Sequence, residues 1–135
     1  MALKLFIDTN ILIDFIEQRP FDIKNTNRLF LMAQNHETEL YTSESVITTA
    51  FYITRLAEQI EKVLYLLNII YIPAGVLQTA FNSNFKDKED AILYYGAMNA
   101  GMDYFITRNE VDFKKQLSKQ LPVISVKIFC DKIMA

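Results

Sequence analysis

Four acidic residues stand where the chain passes from an apolar run into a polar turn or a helix start: Asp8, Glu44, Asp90 and Asp112. Carboxylates gathered without counter-charge raise one another's pKa, and a divalent cation removes that penalty. Hard oxygen donors with no nearby His or Cys suit magnesium or manganese rather than zinc. Such a centre polarises a phosphate oxygen and lowers the pKa of water, the requirements of phosphodiester hydrolysis. Each acid also has a plainer reading. Asp8-Thr9-Asn10 is a good helix cap, and Glu44 and Asp90 complement the positive ends of helices. Only a fold that brings the acids together separates the two readings.

The elements that would position them read as alternating strands and helices. Lys4-Leu5-Phe6-Ile7 is short, apolar and bounded by turn formers, hence a buried strand with Asp8 at its carboxyl end. Ile11, Leu12, Phe15 and Ile16 have helical spacing, with Thr9 or Asn10 as the expected cap and Pro20 as the stop. Lys24 to Gln34 is a second helix, Asn35–Thr38 a turn, and Leu40-Tyr41 a short strand. Thr42-Ser43-Glu44-Ser45 opens a third helix, read as one despite its β-branched residues because alternation is absent. Ala57 to Leu67 is a fourth helix, Ile69–Ile72 a buried strand stopped by Pro73, and Val76 to Phe81 a short helix. Asp87 caps the helix running to Ala100, with Asp90 in its first turn and Gly101 ending it. Tyr104–Thr107 and Val123–Val126 are strands, Asp112 lies a few residues past the first, and Lys127 to Met134 is a terminal helix. This order predicts an α/β fold, a three-layer α/β/α sandwich with a central parallel sheet. In such a sheet strand carboxyl ends and the following helix amino ends share one edge, where ligands bind.

Bulk properties bound the rest. The 135 residues are expected to form a single domain, 1–135. A formal charge of −2 does not advertise a nucleic-acid binder, though a local basic rim remains compatible with it. Three glycines and three prolines argue against disorder. The single cysteine, Cys130, excludes an internal disulfide and fits a reducing compartment. No secretory leader or membrane span is evident, so the expected location is cytoplasmic.

Four stretches then carry a family resemblance: Phe6-Ile7-Asp8-Thr9-Asn10-Ile11-Leu12, Ser43-Glu44-Ser45, Glu89-Asp90-Ala91, and Ile106-Thr107-Arg108-Asn109 with Asp112-Phe113. Their order and spacing resemble the PIN domain, particularly the VapC-type toxin ribonucleases. The resemblance implies a magnesium- or manganese-dependent endoribonuclease, often dimeric, and for the toxin members a small antitoxin partner. Asp8, Glu44 and Asp90 match the family's first three acids. The fourth falls in some relatives at the position of Asn109 and in others at that of Asp112. Asp112 is taken as the acid and Asn109 as a neutral ligand or substrate contact. Thr107 and Asn10 match residues that orient the site.

Other residues are weighed against blander roles. Asp14 is expected in solvent or a local ion pair, Asp87 and Glu89 as cap and solvated charge, and Asp103 at the opposite sheet edge. His36 is an expected exposed turn residue. Arg108, Lys88 and Lys114, with Arg55, Lys86 and Lys115, are candidate phosphate contacts for RNA, although exposed basic residues are ordinarily just solvated. Tyr52, Tyr94 and Tyr95 read as core or dimer interface. Two competing functions stand beside the nuclease: a catalytically inactive PIN-like RNA-binding or dimerising module, and a phosphotransfer protein using Asp8. The second is disfavoured because Asn10 stands where a dehalogenase-type pattern needs its second acid.

Overall fold

The computed structural model describes residues 1–113 and 120–134. Five strands form one parallel sheet: β1 Leu3–Ile7, β2 Thr38–Ser43, β3 Leu67–Ile70, β4 Tyr104–Ile106 and β5 Val123–Ile124, in the order β3-β2-β1-β4-β5. Leu5 lies opposite Leu40 on one side and Tyr104 on the other, so the central strand is paired along both edges. The helices are α1 Thr9–Glu17, α2 Ile23–Gln34, α3 Glu44–Thr54, α4 Ala57–Leu64, α5 Ala74–Phe81, α6 Lys88–Asn99, α7 Glu110–Phe113 and α8 Val126–Ile128. The last runs on into a π-helical turn, Phe129–Ile133. The expected α/β/α layering around a parallel sheet is what the molecule has. No helix of the described residues is long and apolar enough to cross a membrane.

Several boundaries move. Asp8 itself, not Thr9 or Asn10, caps α1, its side chain accepting from the Thr9 N–H. The second strand is longer than Leu40-Tyr41 because Thr38 and Ser43 also pair. The fourth helix stops at Leu64, and Leu67 already belongs to β3. That strand is not buried as expected: it is the sheet's edge, with Asn68 and Ile69 exposed. Its apolar run therefore serves one face and one neighbour only. The final strand is short because Ser125 turns out of it to cap α8 through the Ile128 N–H. Gly101, with φ +79°, follows α6 in the left-handed conformation that glycine adopts without strain.

The core explains how distant segments meet. Phe6 and Phe105 stack at 5.2 Å on adjacent central strands. Phe113, fully buried, lies 4.9 Å from Phe105. Phe85, on the turn before α6, packs edge-on against Phe113 at 5.6 Å and beside Tyr94 at 5.8 Å. The two segments that carry Asp90 and Asp112 are thus anchored on one aromatic cluster. Burying such rings contributes a few kcal/mol each. Of the three tyrosines read together, Tyr94 is core, with its hydroxyl donating to the Leu121 carbonyl at 2.8 Å, whereas Tyr52 is 71% exposed under the Arg55 guanidinium.

Candidate functional site

The site begins at Asp8, where β1 ends and α1 starts. Its Oδ1 accepts from the Thr9 N–H at 2.8 Å and its Oδ2 from the Thr107 hydroxyl at 2.8 Å. Asp8 is 5% exposed. Burial raises its pKa; the bonds from Thr107 and Thr9 oppose that, and Glu89 and Asp87 add to it. Thr107 is the hub. It is fully buried, and its oxygen also receives the Asn109 backbone N–H at 3.1 Å and the Asn10 side-chain amide at 3.4 Å. Asn10 in turn accepts from the Arg108 backbone N–H at 3.3 Å. These bonds link Asp8, through Thr107 and Asn10, to the turn after β4. Asn109 joins through its backbone, with its side chain exposed.

Asp90 faces Asp8 from the first turn of α6. Asp87 caps that helix, its Oδ1 accepting from the N–H groups of Glu89 and Asp90 at 2.9 and 3.2 Å. This places Asp90 beside other carboxylates at the carboxyl edge of the sheet. Its pKa is pushed up to about 7, first by burial and then by Asp87, Asp8, Asp112 and Glu89. Asp90 thus lies within electrostatic reach of both Asp8 and Asp112. Glu44 is not among the charges acting on Asp8 or Asp90. It is an exposed residue opening α3, on the wall of an adjoining groove of about 700 Å³ shared with Lys88, Glu89 and Ile92. The side-chain cap of α3 is Ser43, accepting from the Val46 N–H. Among the described residues, no three acid, His or Cys side chains stand close enough to hold an ion as they are.

The basic candidates divide. The Lys88 ammonium donates to the Ser83 carbonyl at 3.0 Å while lining the same groove as Glu44. Arg108, expected at a phosphate, is turned inward: its Nε lies 3.4 Å from Asp14 Oδ2 and its guanidinium 5.1 Å over the Phe21 ring. Lys114 and Lys115 lie outside the described residues. Asp103 sits at the opposite edge, where Oδ2 accepts from the Lys4 N–H at 2.8 Å. Cys130 is buried in the core.

Asp14, expected in solvent or a local ion pair, is instead paired with the distant Arg108. It is not in solvent but 1% exposed, and burial raises its pKa, with Arg108 and Arg19 opposing. Its position offered the signal: it follows Ile11 by three residues, on the face that α1 buries.

Sheet order, layering and the acids at one edge define a class, and comparison with known proteins names it. A family model described as the PIN domain matches residues 4–110. The chain belongs to the PIN domain family. It is 24% identical over 140 residues to Ribonuclease VapC1 of Aquifex aeolicus (strain VF5), with 96% of this chain and 94% of that protein covered. Its fold is similar to a crystal structure of VapBC2 from Rickettsia felis bound to a DNA fragment from their promoter. There the TM-score is 0.68 and the identity 20%, over 91% of this chain and 98% of that one. PAE2754 from Pyrobaculum aerophilum matches with a TM-score of 0.65 at 17% identity, over 99% and 98% of the two chains.

Proposed function

We propose that the protein is a divalent-metal-dependent endoribonuclease, the toxin of a toxin–antitoxin pair, using magnesium or manganese. The observation that carries this reading is the crowding of Asp8, Asp90 and Asp112, with Asp87 and Glu89, at the carboxyl edge of the sheet. Burial and neighbouring carboxylates raise both Asp8, through Glu89 and Asp87, and Asp90, through Asp87, Asp8, Asp112 and Glu89. A bound cation reverses that balance and gives a reason for an arrangement that otherwise opposes folding. The donor set fits a hard ion, being all oxygen.

Asp8, Asp90 and Asp112 would hold the ion, with Glu44 joining from the neighbouring groove; the last two are exposed carboxylates free to turn toward it. The ion supplies polarisation of a phosphate oxygen and activation of water. The chain's own residues do the rest. Thr107 and Asn10 fix the carboxylate plane of Asp8, Asp87 fixes the first turn of α6, and Lys88 stands on the groove wall to meet a phosphate.

The relatives support the finer parts. The Aquifex protein carries the name of a ribonuclease and the Rickettsia structure is of a VapBC pair. In this chain the groove beside Glu44 has an apolar wall of Tyr71, Leu77 and Phe81, suited to a segment of a small antitoxin. Exposed Tyr52 and Ile53, neighbours on α3, suit a homodimer contact, which light scattering tests.

The deciding experiment is RNA cleavage by purified protein with manganese. We expect cleavage that EDTA stops and that Asp8→Asn or Asp90→Asn abolishes; cleavage retained in both variants refutes the site. A metal-free binding module is the second reading, favoured by the absence of a closed ligand set among the described residues. Calorimetry with manganese separates the two, since the module predicts no binding.

A further inference from the structure

A second cavity, of about 340 Å³, lies at the carboxyl ends of β4 and β5. Its wall includes Asp14, Phe21, Asp22, Thr107, Arg108 and Glu110. Nothing proposed for the metal centre uses it, yet it shares Thr107 with that centre, and Thr107 bonds Asp8.

Three observations bear on what it could bind. Asp14, buried in the wall, has an Oδ1 without a hydrogen-bond partner among the described residues. Among the described residues its other oxygen is met by Arg108 Nε at 3.4 Å, a long contact. The Arg108 guanidinium, a flat plane of N–H donors, lies 5.1 Å over the ring of Phe21, which is 57% exposed. The cavity is thus already visited by a planar donor group between an aromatic face and a carboxylate. Asp22 and Glu110 on the wall add acceptors, and Lys127 adds a donor.

We propose that this cavity is a guanine pocket for a nucleotide next to the scissile phosphate, an assignment that rests on the protein acting on RNA. Guanine alone among the bases presents two adjacent donors, N1–H and N2–H, on its Watson–Crick edge. They match the two oxygens of Asp14 as a bidentate pair. Adenine and cytosine each set a ring-nitrogen acceptor against that carboxylate, and uracil offers one donor between two acceptors. The base takes the guanidinium's place over Phe21 and brings its two donors to Asp14, while the positive charge of Arg108 stays beside the carboxylate, which a neutral base does not neutralise. Base stacking on an exposed aromatic ring is the usual way proteins hold unpaired RNA.

The test is NMR titration of the metal-free protein with GMP, AMP, CMP and UMP, and with free arginine. GMP should bind about tenfold or more tighter than AMP, as expected where a lost bidentate pair decides. The shifts should centre on Asp14, Phe21 and Thr107. Phe21→Ala, a change at an exposed turn residue, should weaken GMP about tenfold without changing the melting temperature. Asp14→Asn should remove the preference for GMP. Equal binding of all four nucleotides, or GMP affinity unchanged in Phe21→Ala, overturns the pocket. Tighter binding of arginine than of GMP also overturns it, giving the cavity to a protein guanidinium. Because no metal or cleavage enters the titration, GMP binding by a protein that leaves RNA intact would sink the nuclease reading and not the pocket. A nuclease whose cleavage sites show no guanine preference would do the reverse.

Discussion

Replacing Asp90 by asparagine should stabilise the metal-free protein, and only at neutral and alkaline pH. In the folded protein burial and four neighbouring carboxylates push Asp90 up to about 7; in the unfolded chain it titrates near ~4. At about 1.4 kcal/mol for each pH unit, ionising Asp90 in place opposes folding by roughly 4 kcal/mol. Asp90 is only half-buried, and solvent screening reduces the figure to about 2 kcal/mol. Asparagine keeps the shape and cannot ionise, but it forfeits about 0.5 kcal/mol of favourable charge at the amino end of α6. The net gain is about 1.5 kcal/mol, or roughly 5 °C in Tm for a chain of this length. The sign follows from linkage. Because the folded state holds this proton more tightly, Asp90 favours folding below about pH 4 and loses that contribution as pH rises through about 7. Variant and wild type should therefore melt alike near pH 4, diverge between about pH 4 and 7, and keep a constant gap above about pH 8. Paired thermal melts in EDTA across this range measure it. Saturating manganese should then invert the order, since the wild type gains about 2.7 kcal/mol at a roughly hundredfold excess over Kd. An asparagine variant less stable than wild type at pH 8 in EDTA, or a gap independent of pH, would show that the carboxylates do not crowd as described.

Three other outcomes follow from the same geometry. Thr107→Val, nearly isosteric, removes the donor to Asp8 and the acceptor for Asn109, and should destabilise by about 2 kcal/mol in urea melts. It should also slow RNA cleavage by an order of magnitude or more; full activity in the Thr107→Val variant would make Thr107 a packing residue only. Glu44→Gln should leave stability within about 0.5 kcal/mol, since the residue is exposed, while weakening manganese binding about tenfold by calorimetry; unchanged binding would remove Glu44 from the ligand set. Arg108→Met leaves Asp14 buried without its partner and should destabilise by about 2–3 kcal/mol, below the usual figure for a broken buried pair because Arg108 is partly solvated. Adding Asp14→Asn should recover most of that loss. The salt dependence of RNA binding should not change, whereas a phosphate contact would make it shallower.

Much of this was readable from residue order. Period and turn chemistry gave the alternation of strands and helices, because a buried parallel strand must be apolar throughout and its following helix must be capped. The acids at strand ends were visible for the same reason. The capping role of Asp87 was legible too, since Asp at that position satisfies N–H groups no helix can satisfy internally. Edge status was not: the apolar run Ile69–Ile72 looks buried until the sheet order places its strand, Leu67–Ile70, outermost. Nor was the fate of Asp14, Arg108 and Phe21 legible. Asp14 and Arg108 are 94 positions apart by their numbering, and no local rule pairs them.

The amino-acid sequence by itself determined which segments become strands and helices and which carboxyl groups end them, because those choices depend on neighbours within a few residues. Only the tertiary structure decided that Asp90 and Asp112 share one aromatic anchor, that Glu44 lines a groove with Lys88 and Glu89, and that a buried carboxylate lines a second cavity. Those outcomes depend on packing between remote segments, where burial and proximity, and with them the proton affinity of each acid, are set by the whole fold.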